Sequence, residues 1–222
     1  MSGMRPTGQL HIGHYIGVLP NWITLQSEYD CYFSVADWHA LTTKSEDTNT
    51  LKMNTRETIL DWFASGLDAE QSTVFVQSAV PEIAELHLIF SMITPLNWAE
   101  RNPTVKEQVK ELHLENSMSY GHLGYPVLQT ADILSVKGEL VPIGQDQLPH
   151  LEFSRDIARR FNSLYGEVFP EPKPKLAEFP LLPGLDGRKM SKSYGNDIKL
   201  VDAPEMVQQK MMTAITDPGR KR

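Results

Sequence analysis

His11 and His14 stand three residues apart in the segment Pro6-Thr7-Gly8-Gln9-Leu10-His11-Ile12-Gly13-His14-Tyr15-Ile16-Gly17. Thr7-Gly8 reads as a turn, and a helix is expected from about Leu10, which puts both imidazoles on one face near a helix amino end. Unpaired N–H groups and the positive end of the helix dipole attract phosphate at such a place. Two imidazoles beside it can donate hydrogen bonds to the charge that builds on a pentavalent phosphorus. Gly13 has no side chain, so a nucleotide is expected to approach closely there. The plainer interpretation is a pair of surface or helix-capping histidines, and H-x-G-H alone does not choose between the two.

A second group is Gly187-Arg188-Lys189-Met190-Ser191-Lys192-Ser193, with three cations in a short run of small residues. Such a loop is expected to be mobile and to fold over a triphosphate. Lysines there act as movable point charges on the β- and γ-phosphates as pyrophosphate leaves. The alternative is an exposed basic loop.

A third group is spread along the chain. Tyr125, Gln129 and Asp132 are spaced to share one helix face. Asp132 has Ala131, Ile133 and Leu134 around it, and a carboxylate in an apolar setting needs a hydrogen-bond donor, such as an indole N–H or a phenol O–H. Alone, an aspartate is more often a surface group. Asp37 and His39 follow one apolar β-forming run, and Gly144-Gln145-Asp146-Gln147 follow another. Both places are strand carboxyl ends, where open α/β sheets bind ligands.

The elements that must hold these groups alternate between strand and helix patterns, which predicts an α/β fold with a largely parallel sheet. Strands are expected at Cys31–Ala36, Thr73–Gln77 and Leu140–Ile143, the last weakened by Pro142. A helix at about 49–65 carries Ile59, Trp62 and Phe63 on one face. A helical stretch from Ile83 to Ile133 should break near Pro95, Pro103 and Pro126. Further helices are expected at Gln145–Phe161 and Ala203–Ile215, and Glu171-Pro172-Lys173-Pro174-Lys175 reads as a loop.

At 222 residues, with 41% hydrophobic and 22% charged residues, the chain can bury one large domain. The single cysteine, Cys31, excludes an intrachain disulfide and a cysteine metal cluster, and no metal-ligating set is read. There is no apolar signal core and no run of membrane-spanning length, which points to a cytoplasmic protein without membrane association. The net charge of −7 by itself disfavours a nucleic-acid partner. Positive charge nevertheless gathers in 188–222, where eight Lys or Arg stand against four Asp or Glu.

His11-Ile12-Gly13-His14 and Lys189-Met190-Ser191-Lys192-Ser193 together resemble the paired signatures of the class I aminoacyl-tRNA synthetases. Nucleotidylyltransferases share the first and lack the second. The resemblance implies a Rossmann-type parallel sheet binding ATP, with Mg²⁺ on its phosphates, over residues 1–222. It implies a helical insert at about 81–135 and a signature loop at about 186–195. Tyr125-Pro126-x-Leu128-Gln129-x-x-Asp132 is similar to the pattern of both tryptophanyl and tyrosyl enzymes. Ala36-Asp37-Trp38-His39-Ala40-Leu41-Thr42, Val141 to Gln147 and Ile215 to Gly219 resemble the bacterial tryptophanyl group, although Gln145 stands where that group has Glu. By this resemblance His11, His14, Lys189 and Lys192 are catalytic. Arg5, Pro6, Thr7, Gly13, His14, Gly144, Gln145, Asp146, Leu182, Lys189, Met190, Ser191, Lys192 and Ser193 line the ATP site, with Leu182 near the adenine. Asp132 accepts the indole N–H, Tyr125 and Gln147 face the substrate ammonium, His39 faces its carboxylate, and Gln129 lies beside them.

The implied reaction joins tryptophan to tRNA(Trp) through tryptophanyl-adenylate, in a homodimer built on the helical insert. A tyrosyl enzyme and a synthetase-like protein without tRNA charging are the competing interpretations. Two further expectations concern the ends. A first strand should precede Ser2-Gly3, since Met1 to Arg5 are few for a strand and a turn. The helical domain with which the family grips the anticodon has no counterpart before Arg222.

Overall fold

β-branched and aromatic residues build the strands at 31–35, 72–76 and 140–143, whereas the strands at 2–4 and 173–176 form without them, and helices fill most of the stretches between. The structure is a computed structural model that describes residues 1–46, 48–111, 114, 116–176 and 182–215, with the side chains of Lys44, Glu111, Asp146 and Ser193 outside that description. In chain order the elements are β1 (Ser2–Met4), α1 (Ile12–Gly17), α2 (Leu19–Leu25), β2 (Cys31–Val35), α3 (Asp37–Lys44), α4 (Leu51–Ala64) and β3 (Ser72–Val76). Four helices follow before the next strand: α5 (Glu82–Ile93), α6 (Leu96–Arg101), α7 (Pro103–Glu111) and α8 (Tyr120–Ser135). The last part holds β4 (Leu140–Ile143), α9 (Leu148–Tyr165), β5 (Lys173–Leu176) and α10 (Pro204–Met212).

Among the described residues the strands pair in parallel, and two isolated bridges, His11↔Lys199 and Pro183↔Lys189, are antiparallel. β1 runs beside β2 from Ser2↔Phe33 to Met4↔Val35, β2 beside β3, and β4 beside β5. The Met1 ammonium donates to the Leu140 carbonyl at 3.0 Å and so sets β4 next to β1. The strands thus form two parallel sheets, β1-β2-β3 and β4-β5, joined at this bond, and in an open α/β fold the ligand crevice lies at the strand carboxyl ends. Two cores flank it. Leu10, Leu19, Trp22, Phe33, Val35, Trp62 and Leu67 form one. Ile83, Phe90, Ala131, Leu134, Val141, Leu151 and Ile157 are the centre of the other. A cavity of about 340 Å³ lies at the amino ends of β2 and β4, lined by Cys31, Tyr32 and Leu140, on the side away from the crevice.

Several expectations need correction. Ser2–Met4 is itself the first strand, three residues long, where that strand was expected before Ser2. Lys173–Leu176 is a strand and not a loop. Pro174, paired with Val141, offers no N–H, and it is accommodated because β5 has a partner on one side only. Pro126 does not break a helix: it lies inside α8, buried between neighbouring helices. The lost backbone bond is outweighed by packing, and α8 is the element that α5 and α9 both cover. On α4, Trp62 is fully buried as expected, but Phe63 is exposed and Asp61 takes the inward position.

Candidate active site

The histidine segment is a cap before it is anything else. His11 has extended backbone and is the N-cap of α1, so the helix starts at Ile12 and not near Leu10. Its Nδ1 accepts the Gly13 N–H at 3.1 Å, while its own N–H donates to His14 Nδ1 at 3.3 Å, a reciprocal capping box made by two imidazoles. In both rings Nδ1 is thereby an acceptor, so in the neutral form the proton sits on Nε2. Each ring is left with one N–H donor, Nε2–H, and the rings lie 3.8 Å apart. Burial, the neighbouring His11 and Lys192 push the His14 pKa down to about 3. Burial is also the main cause that lowers His11, with Asp197 opposing it. The pair is thus two neutral donors at pH 7, and capping and ligand-donor interpretations both apply to it.

Gly13 also serves the cap itself. A Cβ there would stand 2.9 Å from the His11 ring, so a larger residue would break the cap. The turn before the cap is held by Asp61, which accepts the Leu10 N–H at 2.9 Å. Nothing in the sequence singled out Asp61. An aspartate at an otherwise apolar helix position is the signal that could have found it.

The signature loop is docked on this segment. Lys192 Nζ donates to the Gly8 carbonyl at 2.7 Å, across 184 residues of chain. Ile12 N–H donates to Ile198 O and Leu200 N–H to Leu10 O, both at 2.9 Å, stitching the segment after the loop to the histidine turn. Met190 is buried and its sulfur lies near Gly13. Lys189 is exposed, and the Arg188 guanidinium pairs with Asp186 and covers the Tyr194 ring. The loop's backbone is bonded to a buried asparagine, Asn196, an anchor that neither the mobile-loop nor the exposed-loop expectation included.

The third group converges at the other end of the crevice. Asp132 on α8 is buried; its Oδ2 lies 2.8 Å from His39 Nε2, and its Oδ1 accepts from Gln77 Nε2 at 2.7 Å. Gln77 is fully buried just after β3 and was missed by sequence reasoning, as a lone glutamine carries no pattern. Its Oε1 also accepts the Trp38 N–H, locking the start of α3 and hence His39. Asp37 is spent on structure, accepting from Trp38, Ser78 N–H and Ser78 O–H. Tyr125 Oη is 2.8 Å from His150 Nε2, a buried histidine equally unforeseen. Burial pushes the Tyr125 phenol up, and the nearby Arg5 pulls it down. Arg5, expected beside the phosphates, is thus within electrostatic range of Tyr125 and of the buried His122.

The remaining positions are placed as follows. Gly144 follows β4 and Gln145–Gln147 form a single turn before α9, with Gln145 exposed and Gln147 half-buried. Gln129 is half-buried on α8, Pro6 is buried and Thr7 exposed after β1. The Leu182 carbonyl accepts the Met190 N–H. The side chains of Asp146 and Ser193, and residues 216–219 of the stretch from Ile215 to Gly219, lie outside the described residues. Among the described residues no cluster of three or more His, Cys, Asp or Glu could hold a metal ion.

Comparison with known proteins agrees with this arrangement. The tRNA synthetases class I (W and Y) family matches residues 1–222. The tryptophan–tRNA ligase of Thermotoga maritima is 54% identical over 223 residues, covering all of this chain and 68% of that protein. That of Aquifex aeolicus is 45% identical over 291 residues, covering all of this chain and 74% of its own length. The tryptophanyl-tRNA synthetase of Campylobacter jejuni, solved with ADP and tryptophan, superposes with a TM-score of 0.90 at 35% identity, over 99% of this chain and 68% of that one. A signature loop bonded to the turn that leads into the histidine motif, and a family match that runs from the first residue to the last, place this chain in the class I tRNA synthetases of the tryptophan and tyrosine group.

Proposed function

We propose that this chain activates tryptophan with ATP, giving tryptophanyl-adenylate and pyrophosphate, and passes the aminoacyl group to tRNA(Trp). The observation that carries the reading is the Lys192–Gly8 bond, which sets the mobile charges of one motif against the neutral donors of the other. Attack by a tryptophan carboxylate oxygen on the α-phosphorus forms one P–O bond and breaks the bond to pyrophosphate. Negative charge grows on the α-phosphoryl oxygens, where His11 and His14 would donate through Nε2–H. Lys189 and Lys192 would follow the departing pyrophosphate. Such catalysis is positioning and charge stabilisation, with no covalent nucleophile. Mg²⁺ is read as part of the ATP substrate.

At the other end Asp132 would accept the indole N–H with a lone pair left over from its bonds to His39 and Gln77. Tyr125 and Gln147 would face the ammonium, His39 the carboxylate, and Gln129 the pocket wall. Pro6, Thr7, Gly144, Gln145, Asp146, Leu182, Met190, Ser191 and Ser193 would line the nucleotide site with Arg5. The names of the relatives above favour tryptophan; tyrosine is the competing substrate, because the Tyr125–Asp132 pattern suits either. The domain limits given under the sequence analysis are part of this proposal, and the helices from Glu82 to Ser135 are its insert. Among the described residues no helix is long and apolar enough to cross a membrane, and the cytoplasm is the proposed location. Amino-acid-dependent pyrophosphate exchange, followed by tRNA charging, tests the reading.

A further inference from the structure

We infer that Asn196, just past the signature loop, is its positioning residue: its amide fixes the loop backbone so that Lys189 and Lys192 are presented together. Asn196 is 3% exposed, and its side chain is fully committed. Oδ1 accepts the Ser191 N–H at 2.8 Å. Nδ2 donates to the Lys189 carbonyl at 3.2 Å and to Asp186 Oδ1 at 2.6 Å. One side chain therefore holds the backbone on both sides of Met190, while Asp186 in turn accepts the Arg188 N–H at 3.1 Å. The Asn196 carbonyl accepts the Leu185 N–H, closing the loop's base. The fit is tight: a Cβ on Gly184 would stand 2.3 Å from Asn196 Nδ2.

Only an amide satisfies this set. It needs an acceptor toward Ser191 and two donors toward Lys189 and Asp186, and no other side chain of this size has both. A carboxylate would keep the first bond and turn the other two into repulsion. The Asn196 amide is also the first cause holding the Asp186 carboxyl below the usual range. Flexible lysines cannot by themselves keep a common geometry, so the loop needs a rigid anchor beneath them.

The inference rests on the proposed function for the lysines' task, but not for the anchor itself, and the test separates the two. Asn196→Asp is compared with the unaltered chain and with Asp186→Asn/Asn196→Asp, which restores one donor–acceptor pair with the polarity reversed. Trypsin cleavage after Lys189 and Lys192, without substrates, should be about tenfold faster in the single variant and slower again in the double one. In tryptophan-dependent pyrophosphate exchange the single variant should lose about tenfold to a hundredfold in kcat, with KM for tryptophan little changed and part of the rate recovered in the double variant. Unchanged cleavage would overturn the anchor, whether or not the unaltered chain shows exchange. Equal losses in kcat and in tryptophan KM, or no recovery in the double variant, would overturn the positioning role. Absence of exchange in the unaltered chain, with the cleavage pattern as expected, would reject the proposed function and leave the anchor standing.

Discussion

At Asp132 a buried carboxylate holds two donors and, in the proposed function, a third from the substrate. Asp132→Ala should raise KM for tryptophan about tenfold to a hundredfold while leaving KM for ATP nearly unchanged, the cost of unpaired polar groups in a buried pocket. Pyrophosphate exchange at limiting tryptophan measures this, and an unchanged rate would rule out the indole role. His14 gives a second residue-scale expectation. Its folded pKa, about 3, lies below the ordinary 6.5. Between these values the unfolded chain binds more protons than the folded one, so stability rises with pH across the window. The contribution is complete above about 6.5 and is lost as pH falls toward 3. Proton NMR of the imidazole Cε1–H should show no titration of His14 from pH 8 down to 5, and a midpoint near 6.5 would contradict the capped, neutral ring. Residue types and spacing made His11, His14, Asp132 and the lysines visible in the sequence. Asp61, Gln77 and His150 were not visible, because each acts through a partner far along the chain; Asn196 acts on neighbours five to ten residues back, and single polar residues leave no periodic trace.

Elements were legible where one signal acted alone. β4 coincides with the expected Leu140–Ile143, and β2 and β3 shift by one residue at most. Legibility failed at prolines. Pro126 and Pro174 follow local rules that tertiary packing overrides, inside a covered helix in one case and on an edge strand in the other. A second reason for Gly13 was hidden in a related way: the sequence shows that a side chain is absent there, not that the His11 ring lies against the space. Helix α5 presents a question of partnership. Ile83, Phe90 and Ile93 face the core, yet Leu88, Ile89, Met92 and the neighbouring Leu96 stay exposed, Met92 at 74%. We propose that this face meets its counterpart in a second copy, giving a two-fold dimer through the insert. Sedimentation at micromolar concentration should give a dimer for the unaltered chain and a monomer for Leu88→Glu/Met92→Glu. A monomer in the unaltered chain would contradict it.

For the whole molecule, the parallel architecture followed from the alternation of strand and helix patterns, and the two signatures gave the crevice its chemistry. Their docking, with Lys192 on Gly8 and Ile198 to Leu200 along Leu10 to Ile12, is a long-range contact that spacing could not supply. The Met1–Leu140 bond between the two sheets is another. The relatives extend over more length than this chain spans, which makes adenylate formation the step to measure first, separately from tRNA charging. The decisive measurement is ATP–pyrophosphate exchange by the 222-residue chain with tryptophan or tyrosine as the only amino acid. The account predicts exchange that depends on tryptophan and is absent or far slower with tyrosine. Exchange supported by tyrosine and not by tryptophan, or none with either, would contradict it.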